Sequence, residues 1–259
     1  MVSERQVLVH SDVAALAAEV AARFIGKVAQ AVRKRDVSHV VLTGGRVGAE
    51  VLRALVTAPG ADQIDWAKVH FWWGDERWLP AGDAERNDTQ ARDAFFGPLG
   101  IDLAGSNVHT MGASDAEGAD LDQAARDYAA ELASFSARDR PYPHFDVTLL
   151  GVGPDGHVAS LFPEHLEVRN TTDTVLPVRN SPKPPPERIT LTLPVINSSN
   201  RVWLCLAGTD KASPLGLALA GAGTNDVPAA GVHGQKRTVF FVDQDAAAEV
   251  PESLITPSY

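Results

Sequence analysis

Hydrophobic and polar positions follow a helical period over the first long apolar segment of the chain. Between residues 13 and 32, apolar side chains recur at three- and four-residue steps, as in a helix that buries one face. Ser11 or Asp12 stands just ahead of this segment, where a helix-capping side chain is favoured. The pattern therefore predicts an amphipathic helix over 13–32, capped by one of these two residues.

The rest of the chain alternates between strand-like and helix-like segments. The strand-like segments are 37–43, 68–74, 145–151, 188–194, 201–207 and 237–243. The helix-like segments lie near 47–57, 88–97, 116–137 and 209–220. This alternation is typical of an α/β fold in which a mostly parallel sheet has helices on both faces.

One segment breaks this rhythm. Residues 181–186 hold four prolines among six residues, which precludes a helix there. An interdomain linker would leave the part that follows without an N-terminal core of its own. We therefore interpret the segment as a stiff loop and expect residues 1–259 to form a single domain.

Composition and charge limit the classes of partner. The chain is 44% hydrophobic and 22% charged, which is typical of a folded globular protein. Its formal net charge of −10 argues against a nucleic acid or an anionic membrane as partner. The single Cys205 excludes an intramolecular disulfide, and no long uncharged apolar segment occurs. We expect a cytoplasmic monomer, and any anionic ligand would need positive charge concentrated at its site.

The most informative segment is residues 151–163, GVGPDGHVASLFP, which follows the strand-like 145–150. Three glycines among its first six residues allow a tight turn at the end of that strand. Asp155 and His157 would then lie at the carboxyl end of the strand, where open α/β sheets bind ligands. A carboxylate and an imidazole at this place are candidates for acid–base chemistry.

This segment resembles the signature of the 6-phosphogluconolactonase family, which hydrolyses 6-phospho-D-glucono-1,5-lactone in the oxidative pentose phosphate pathway. Further segments resemble the family in the same order along the chain: Val40–Gly45, Phe71–Pro80, Asn87 with Ala91 and Arg92, Ser181–Thr192, and Ala207–Ala212. The resemblance implies one modified Rossmann-like α/β domain, related to the glucosamine-6-phosphate deaminases. It also implies a sugar phosphate lactone as the small-molecule substrate.

Lactone hydrolysis needs a base for water, a site for the oxyanion and a proton for the departing ring oxygen. The resemblance gives His157 the role of general base, and an imidazole with a pKa of about 6.5 suits it. Asp155 would orient the imidazole or substrate hydroxyls. Arg77, in the Asp75-Glu76-Arg77 string after a strand, would stabilise the oxyanion, as backbone N–H groups could. We expect Asp75 to bind substrate; the alternative for this string is a surface ion-pair cluster.

The substrate phosphate needs cations or backbone donors. Gly44 and Gly45 lead into a predicted helix whose N–H groups could supply such donors. After these glycines the family has Ser-Thr-Pro, whereas this chain has Arg46-Val47-Gly48. Arg46 could pair with the phosphate or point into solvent. Arg188 and Lys211 are the other predicted phosphate ligands, each within a segment that resembles the family.

Other chemistries lack support in the sequence. No zinc-ligand spacing or Walker motif occurs, so we expect no metal and no cofactor, and no Gly-x-Ser-x-Gly elbow supports a serine nucleophile. The alternative enzyme is a glucosamine-6-phosphate deaminase-like isomerase, whose string has Asn-Glu where this chain has Leu161-Phe162. The alternative from another class is a non-catalytic sugar-phosphate sensor, although no DNA-binding segment precedes the first helix.

Overall fold

A parallel sheet of six strands organises the structure, a computed structural model that describes residues 5–102, 105–137 and 140–255. The strands of the described chain are β1 (Arg5–His10), β2 (Ser38–Leu42), β3 (Val69–Trp73), β4 (Asp75–Arg77), β5 (Phe145–Gly151), β6 (Val175–Val178), β7 (Arg188–Leu191), β8 (Arg201–Leu206) and β9 (Arg237–Asp243). The large sheet has the order β1-β9-β8-β5-β2-β3, and every neighbouring pair is parallel. The predicted, mostly parallel α/β fold is confirmed.

A second, smaller sheet lies beyond the end of β3. Its order is β4-β7-β6, and both pairings are antiparallel. In the β4–β7 pair, Arg77 lies opposite Arg188. Directly opposed residues share one face of an antiparallel pair, so this sheet brings two cations together from distant parts of the sequence.

The helices are α1 (Val13–Arg35), α2 (Gly45–Thr57), α3 (Asn87–Ala91), α4 (Gly97–Leu99), α5 (Leu121–Ser134), α6 (Leu193–Asn197) and α7 (Ala212–Leu219), with a π-helical turn, Arg92–Phe96, between α3 and α4. Asp12, rather than Ser11, caps α1, because its carboxylate accepts the Ala15 N–H at 2.8 Å. The Ser11 hydroxyl instead donates to the Asp12 side chain.

Several element boundaries differ from the prediction. The strand predicted over 188–194 ends at Leu191, and α6 begins at Leu193 with a proline in its first turn. The helix predicted near 116–137 is shorter, because Asp120 caps it and α5 begins at Leu121. Strands β1, β4 and β6 were not predicted. Strand β4 has only three residues, all charged, and β6 contains a proline, so neither shows an apolar alternation.

The large sheet determines where the loops that follow its strands lie. Strands β3, β5 and β8 are predominantly apolar and almost wholly buried. Because the strands are parallel, the loops that follow β2, β3, β5 and β8 all leave at the same edge. In β8, burial raises the pKa of Cys205 to about 12, so its thiol is protonated at neutral pH. None of the helices within the described ranges has the length and apolar character needed to cross a membrane.

Candidate active site

The turn after β5 is closed by its own backbone. The Gly153 N–H donates to the carbonyl of His157 at 2.9 Å, and the Gly156 N–H donates to the carbonyl of Gly153, also at 2.9 Å. Gly156 has a φ of +83°, and a Cβ at this position would lie 2.8 Å from a methyl carbon of Val227. Only glycine fits this conformation without strain. The turn thereby reverses the direction of the chain and brings the side chain of His157 next to that of Asp155.

His157 and Asp155 form a hydrogen-bonded pair at the end of β5. The distance from His157 Nδ1 to Asp155 Oδ1 is 2.5 Å, and the imidazole is only 16% exposed. Its ring packs against Phe162, with centroids 4.6 Å apart. Since Asp155 accepts the Nδ1 proton, the lone pair of the neutral ring resides on Nε2. The arrangement is that of a base held in one tautomer by a carboxylate.

Lys183 contacts both members of the Asp155–His157 pair. It was not among the predicted site residues. Its Nζ lies 3.2 Å from Asp155 Oδ1 and 3.4 Å from His157 Nδ1. Burial alone would raise the pKa of Asp155, but the hydrogen bond from His157 and the positive charges of His157 and Lys183 outweigh it and hold that pKa well below its usual range. Asp155 is therefore ionised. The only signal for Lys183 was one lysine within the proline-rich segment.

Arg77 lies in β4 beside Arg188. Its Nη1 donates to the backbone carbonyl of Glu85, and its buried Nε has no hydrogen-bond partner among the described residues. A buried guanidinium donor without a partner carries a desolvation cost, and no described residue offsets it at this atom. Neighbouring Glu76 accepts the backbone N–H of Asn87 at 2.7 Å and of Asp88 at 2.9 Å, and so caps α3.

Asp75 connects the two strand ends. It is 7% exposed, and its Oδ2 accepts the Ser160 hydroxyl at 2.7 Å while its Oδ1 accepts Asn87 Nδ2 at 3.3 Å. Because both carboxylate oxygens are engaged, Asp75 ties the loop after β5 to β4. Sequence reasoning missed Ser160, whose spacing of three residues from His157 carries no distinctive signal.

The first turn of α2 lies at the same edge of the sheet. Gly44 is its N-cap residue, and a Cβ at Gly44 would overlap the amide oxygen of Asn87. The N–H of Gly45 donates to the Gln90 side chain at 3.0 Å. No side chain caps the turn, so the N–H groups that follow Gly45 resemble an anion-binding helix start. The exposed Arg46 reaches the end of β8, where its Nη2 donates to the Ala207 carbonyl at 3.3 Å.

The two remaining predicted phosphate ligands have different surroundings. Lys211, whose side chain is 17% exposed, lies on the loop after β8 with its Nζ 2.8 Å from Asp210 Oδ2. Arg188 is 4% exposed and donates to the carbonyls of Lys183, Pro184 and Pro185. Thus Arg46 and Lys211 share one strand end, whereas the donors of Arg188 are turned mainly toward the proline-rich loop.

The described residues contain no cluster of three or more His, Cys, Asp or Glu side chains able to hold a metal ion. The groups assembled at this edge are an imidazole paired with a carboxylate, several cations and the amides of a helix start. Such a set suits proton transfer next to a phosphorylated substrate.

Comparison with known proteins identifies the family. Residues 11–241 match the model of the glucosamine-6-phosphate isomerases and 6-phosphogluconolactonases. The chain belongs to this family. It is 50% identical over 256 residues to 6-phosphogluconolactonase of Streptomyces coelicolor, covering 98% of this chain and 97% of that protein. It is 46% identical to the 6-phosphogluconolactonase of Mycobacterium tuberculosis over 252 residues, covering 97% and 100%.

Solved structures of the family share its fold. The 6-phosphogluconolactonase of Thermotoga maritima superposes with a TM-score of 0.79 at 28% identity, over 93% of this chain and all of that chain. The enzyme of Trypanosoma brucei gives a TM-score of 0.81 at 24% identity, over 96% and 100%. A monomeric glucosamine-6-phosphate deaminase gives a TM-score of 0.76 at 20% identity, over 94% and 99%. Because lactonases and a deaminase both share it, the fold alone does not distinguish these activities.

Proposed function

We propose that the protein hydrolyses 6-phospho-D-glucono-1,5-lactone to 6-phospho-D-gluconate, as a step of the oxidative pentose phosphate pathway, with His157 as the general base. The observation that carries this proposal is the hydrogen bond from His157 Nδ1 to the ionised Asp155. It fixes the tautomer in which Nε2 can accept a proton. The full-length similarity to 6-phosphogluconolactonases supports the choice of substrate.

Each chemical step has a group to perform it. Nε2 of His157 takes a proton from water as the water oxygen bonds to the lactone carbonyl carbon. The Asp155 carboxylate stabilises the resulting imidazolium, and the Arg77 guanidinium or amides of the glycine turn donate to the oxyanion. The bond from the carbonyl carbon to the ring oxygen then breaks, and the imidazolium gives its proton to that oxygen. The product is the open-chain acid, and the base is regenerated.

The phosphate would be held at the carboxyl edge of the sheet, between the start of α2 and the end of β8, on either side of β5. Arg46 and Lys211 bring two positive charges there, and the first turn of α2 adds backbone donors. Arg46 bonds to the Ala207 carbonyl and so lies over this strand end. In this proposal its guanidinium replaces the hydroxyl groups that the family carries after the two glycines.

Two residues argue against the isomerase alternative. Leu161 and Phe162 stand where the deaminase string has Asn-Glu, and both are wholly buried and apolar. Phe162 packs between the His157 ring and the Arg188 guanidinium, so no acid occupies that position. A sugar-phosphate sensor would bind the lactone without turnover.

One experiment separates these functions. The purified protein is mixed with freshly generated 6-phosphogluconolactone, with unphosphorylated gluconolactone and with glucosamine 6-phosphate. We expect acid release well above the spontaneous rate with the first, a weaker response with the second and no ammonia from the third. The variant His157→Ala should lower kcat by about 10²–10⁴-fold with little change in KM. Binding of the phosphorylated lactone without turnover would instead establish the sensor.

A further inference from the structure

The proline-rich loop before β7 is fixed at both of its ends. Arg188 donates from Nε to Pro185 O at 3.1 Å, and from Nη2 to Pro184 O at 2.9 Å and Lys183 O at 3.2 Å. On the other side, the Ser181 hydroxyl donates to Lys183 O at 2.8 Å, and the Ser181 N–H donates to Pro186 O at 3.0 Å. A planar guanidinium can hold successive carbonyls in one geometry, which an ammonium cannot.

The fixed loop places the Lys183 side chain next to Asp155 and the Nδ1 side of His157. Its Nζ lies 3.2 Å from Asp155 Oδ1. Because His157 Nδ1 already donates its proton to that carboxylate, Lys183 can donate only to Asp155. The ammonium therefore lies on the side of the imidazole opposite Nε2, where the water would be activated. It is 35% exposed and close to the reacting residues without blocking them.

We propose that Arg188 positions the proline-rich loop so that Lys183 sets the protonation state of the Asp155–His157 pair. This inference rests on the proposed function. Without a cation behind it, the carboxylate would stabilise a positive charge on the imidazole more strongly. The ammonium opposes a positive charge on the ring yet leaves the Asp155–His157 hydrogen bond in place. Arg188 and Lys183 are positioning residues in this scheme.

Other charged groups around the imidazole are more distant or engaged elsewhere. Arg188 faces it across the Phe162 ring, with its guanidinium carbon 5.6 Å from the ring centroid. Asp75 is held by Ser160, and His165 lies beyond Phe162 with its Nδ1 3.8 Å from Glu167 Oε2. Among the described residues, Asp155 and Lys183 are thus the charged groups within 3.4 Å of the His157 ring. A unit charge this close but one-third exposed should move the acid limb of the pH profile by about one unit.

The test compares Lys183→Met, Lys183→Arg, Arg188→Lys and the double variant Lys183→Met with Arg188→Lys. For each, kcat/KM is measured from pH 5 to pH 9 on phosphorylated and unphosphorylated lactone, and the melting temperature is recorded. We expect Lys183→Met to move the acid limb to higher pH by about one unit and Lys183→Arg to restore most of the wild-type profile. Arg188→Lys should move the limb in the same direction. The double variant should resemble Lys183→Met alone, because both changes act through the same contact.

In all these variants, we expect the ratio of kcat/KM for phosphorylated over unphosphorylated lactone to stay within about threefold of the wild-type ratio, a difference of about 0.65 kcal/mol. An unmoved acid limb in Lys183→Met would overturn the proposal. Loss of phosphate preference in Arg188→Lys, without a shift of the limb, would make Arg188 a phosphate ligand instead. If Arg188→Lys does not fold, Ser181→Ala loosens the same loop and should shift the limb. Absence of turnover by the wild-type protein would refute the proposed function itself, before any variant is compared.

Discussion

Gly153 is the residue whose substitution tests the catalytic geometry most directly. Its backbone does not use the left-handed region, so alanine is compatible with its conformation. A Cβ at this position would nevertheless lie 2.5 Å from Asp155 Oδ1 and would overlap Nδ1 and Cε1 of His157. Ordinary contacts need about 3.4 Å or more, so the imidazole and carboxylate must move by about an ångström. The added methyl group would displace the pair without removing either catalytic group.

A displacement of this size determines the expected loss. Misplacing a reacting group by 1 Å costs about 10²-fold in rate, which corresponds to about 2.7 kcal/mol in the activation barrier. We therefore expect Gly153→Ala to lower kcat for the phosphorylated lactone by about 10²-fold, with KM much less affected.

A neighbouring glycine provides the matched control. A Cβ at Gly151 would meet its nearest neighbour, Thr43 Oγ1, at 3.9 Å, which is an ordinary contact. Gly151→Ala should therefore keep wild-type kcat, although it adds the same methyl group only two residues away, at the last residue of β5. Initial rates of lactone hydrolysis, with melting temperatures to confirm folding, give the comparison. If Gly153→Ala kept more than a third of wild-type kcat in a folded protein, the imidazole position described here would not be the one that catalysis requires.

Three further outcomes are expected. Lys211→Ala should lower the preference for phosphorylated over unphosphorylated lactone by about 1.5–3 kcal/mol. Arg46→Ser should lower it by less, because the backbone amides of α2 remain. If only Arg46→Ser abolished this preference, Arg46 would be the main phosphate ligand. Extensive chelation should leave turnover intact, and recovery of a lost rate by one divalent ion would contradict this. Burial, together with nearby His70, lowers the pKa of His39 to about 3. In the unfolded chain, His39 binds a proton below about pH 6.5, whereas in the folded protein it stays neutral. The free energy of unfolding should therefore be about 2 kcal/mol lower at pH 5 than at neutral pH. Urea denaturation should show a smaller decrease in His39→Asn.

The sequence predicts five of the six strands of the large sheet, because these strands are mostly buried on both faces, whereas the part-exposed edge strand β1 was missed. The apolar segments at 145–151 and 237–243 correspond to β5 and β9 with the same bounds. Short strands that pair through the backbone alone leave no such pattern, which is why β4 was missed. The pattern of apolar residues also does not predict the order of the strands in a sheet. The pairing of β4 with β7 could not be foreseen, and this pairing sets Arg77 beside Arg188.

The candidate site was predictable in its residue types and less so in its contacts. The glycines, Asp155 and His157 are adjacent in sequence, so a local turn suffices to bring them together. Lys183 comes from a loop about 26 residues further along the chain, and its approach depends on how a buried arginine holds that loop. A motif shows which residues are present. It does not show which donors of Arg188 are already engaged.

The acidic composition of the chain raises the question of how it could bind a phosphorylated substrate. Three acids at the carboxyl edge of the sheet have partners within the described part of the protein. Asp75 accepts the Ser160 hydroxyl, Glu76 accepts backbone N–H groups of α3, and Asp210 pairs with Lys211. Because screening limits the reach of charge to about 8 Å at physiological salt, such local pairing matters more than the net charge of −10. The exposed guanidinium of Arg46 and the uncapped start of α2 lie at the same edge as these paired acids, so positive groups are concentrated there despite the net charge.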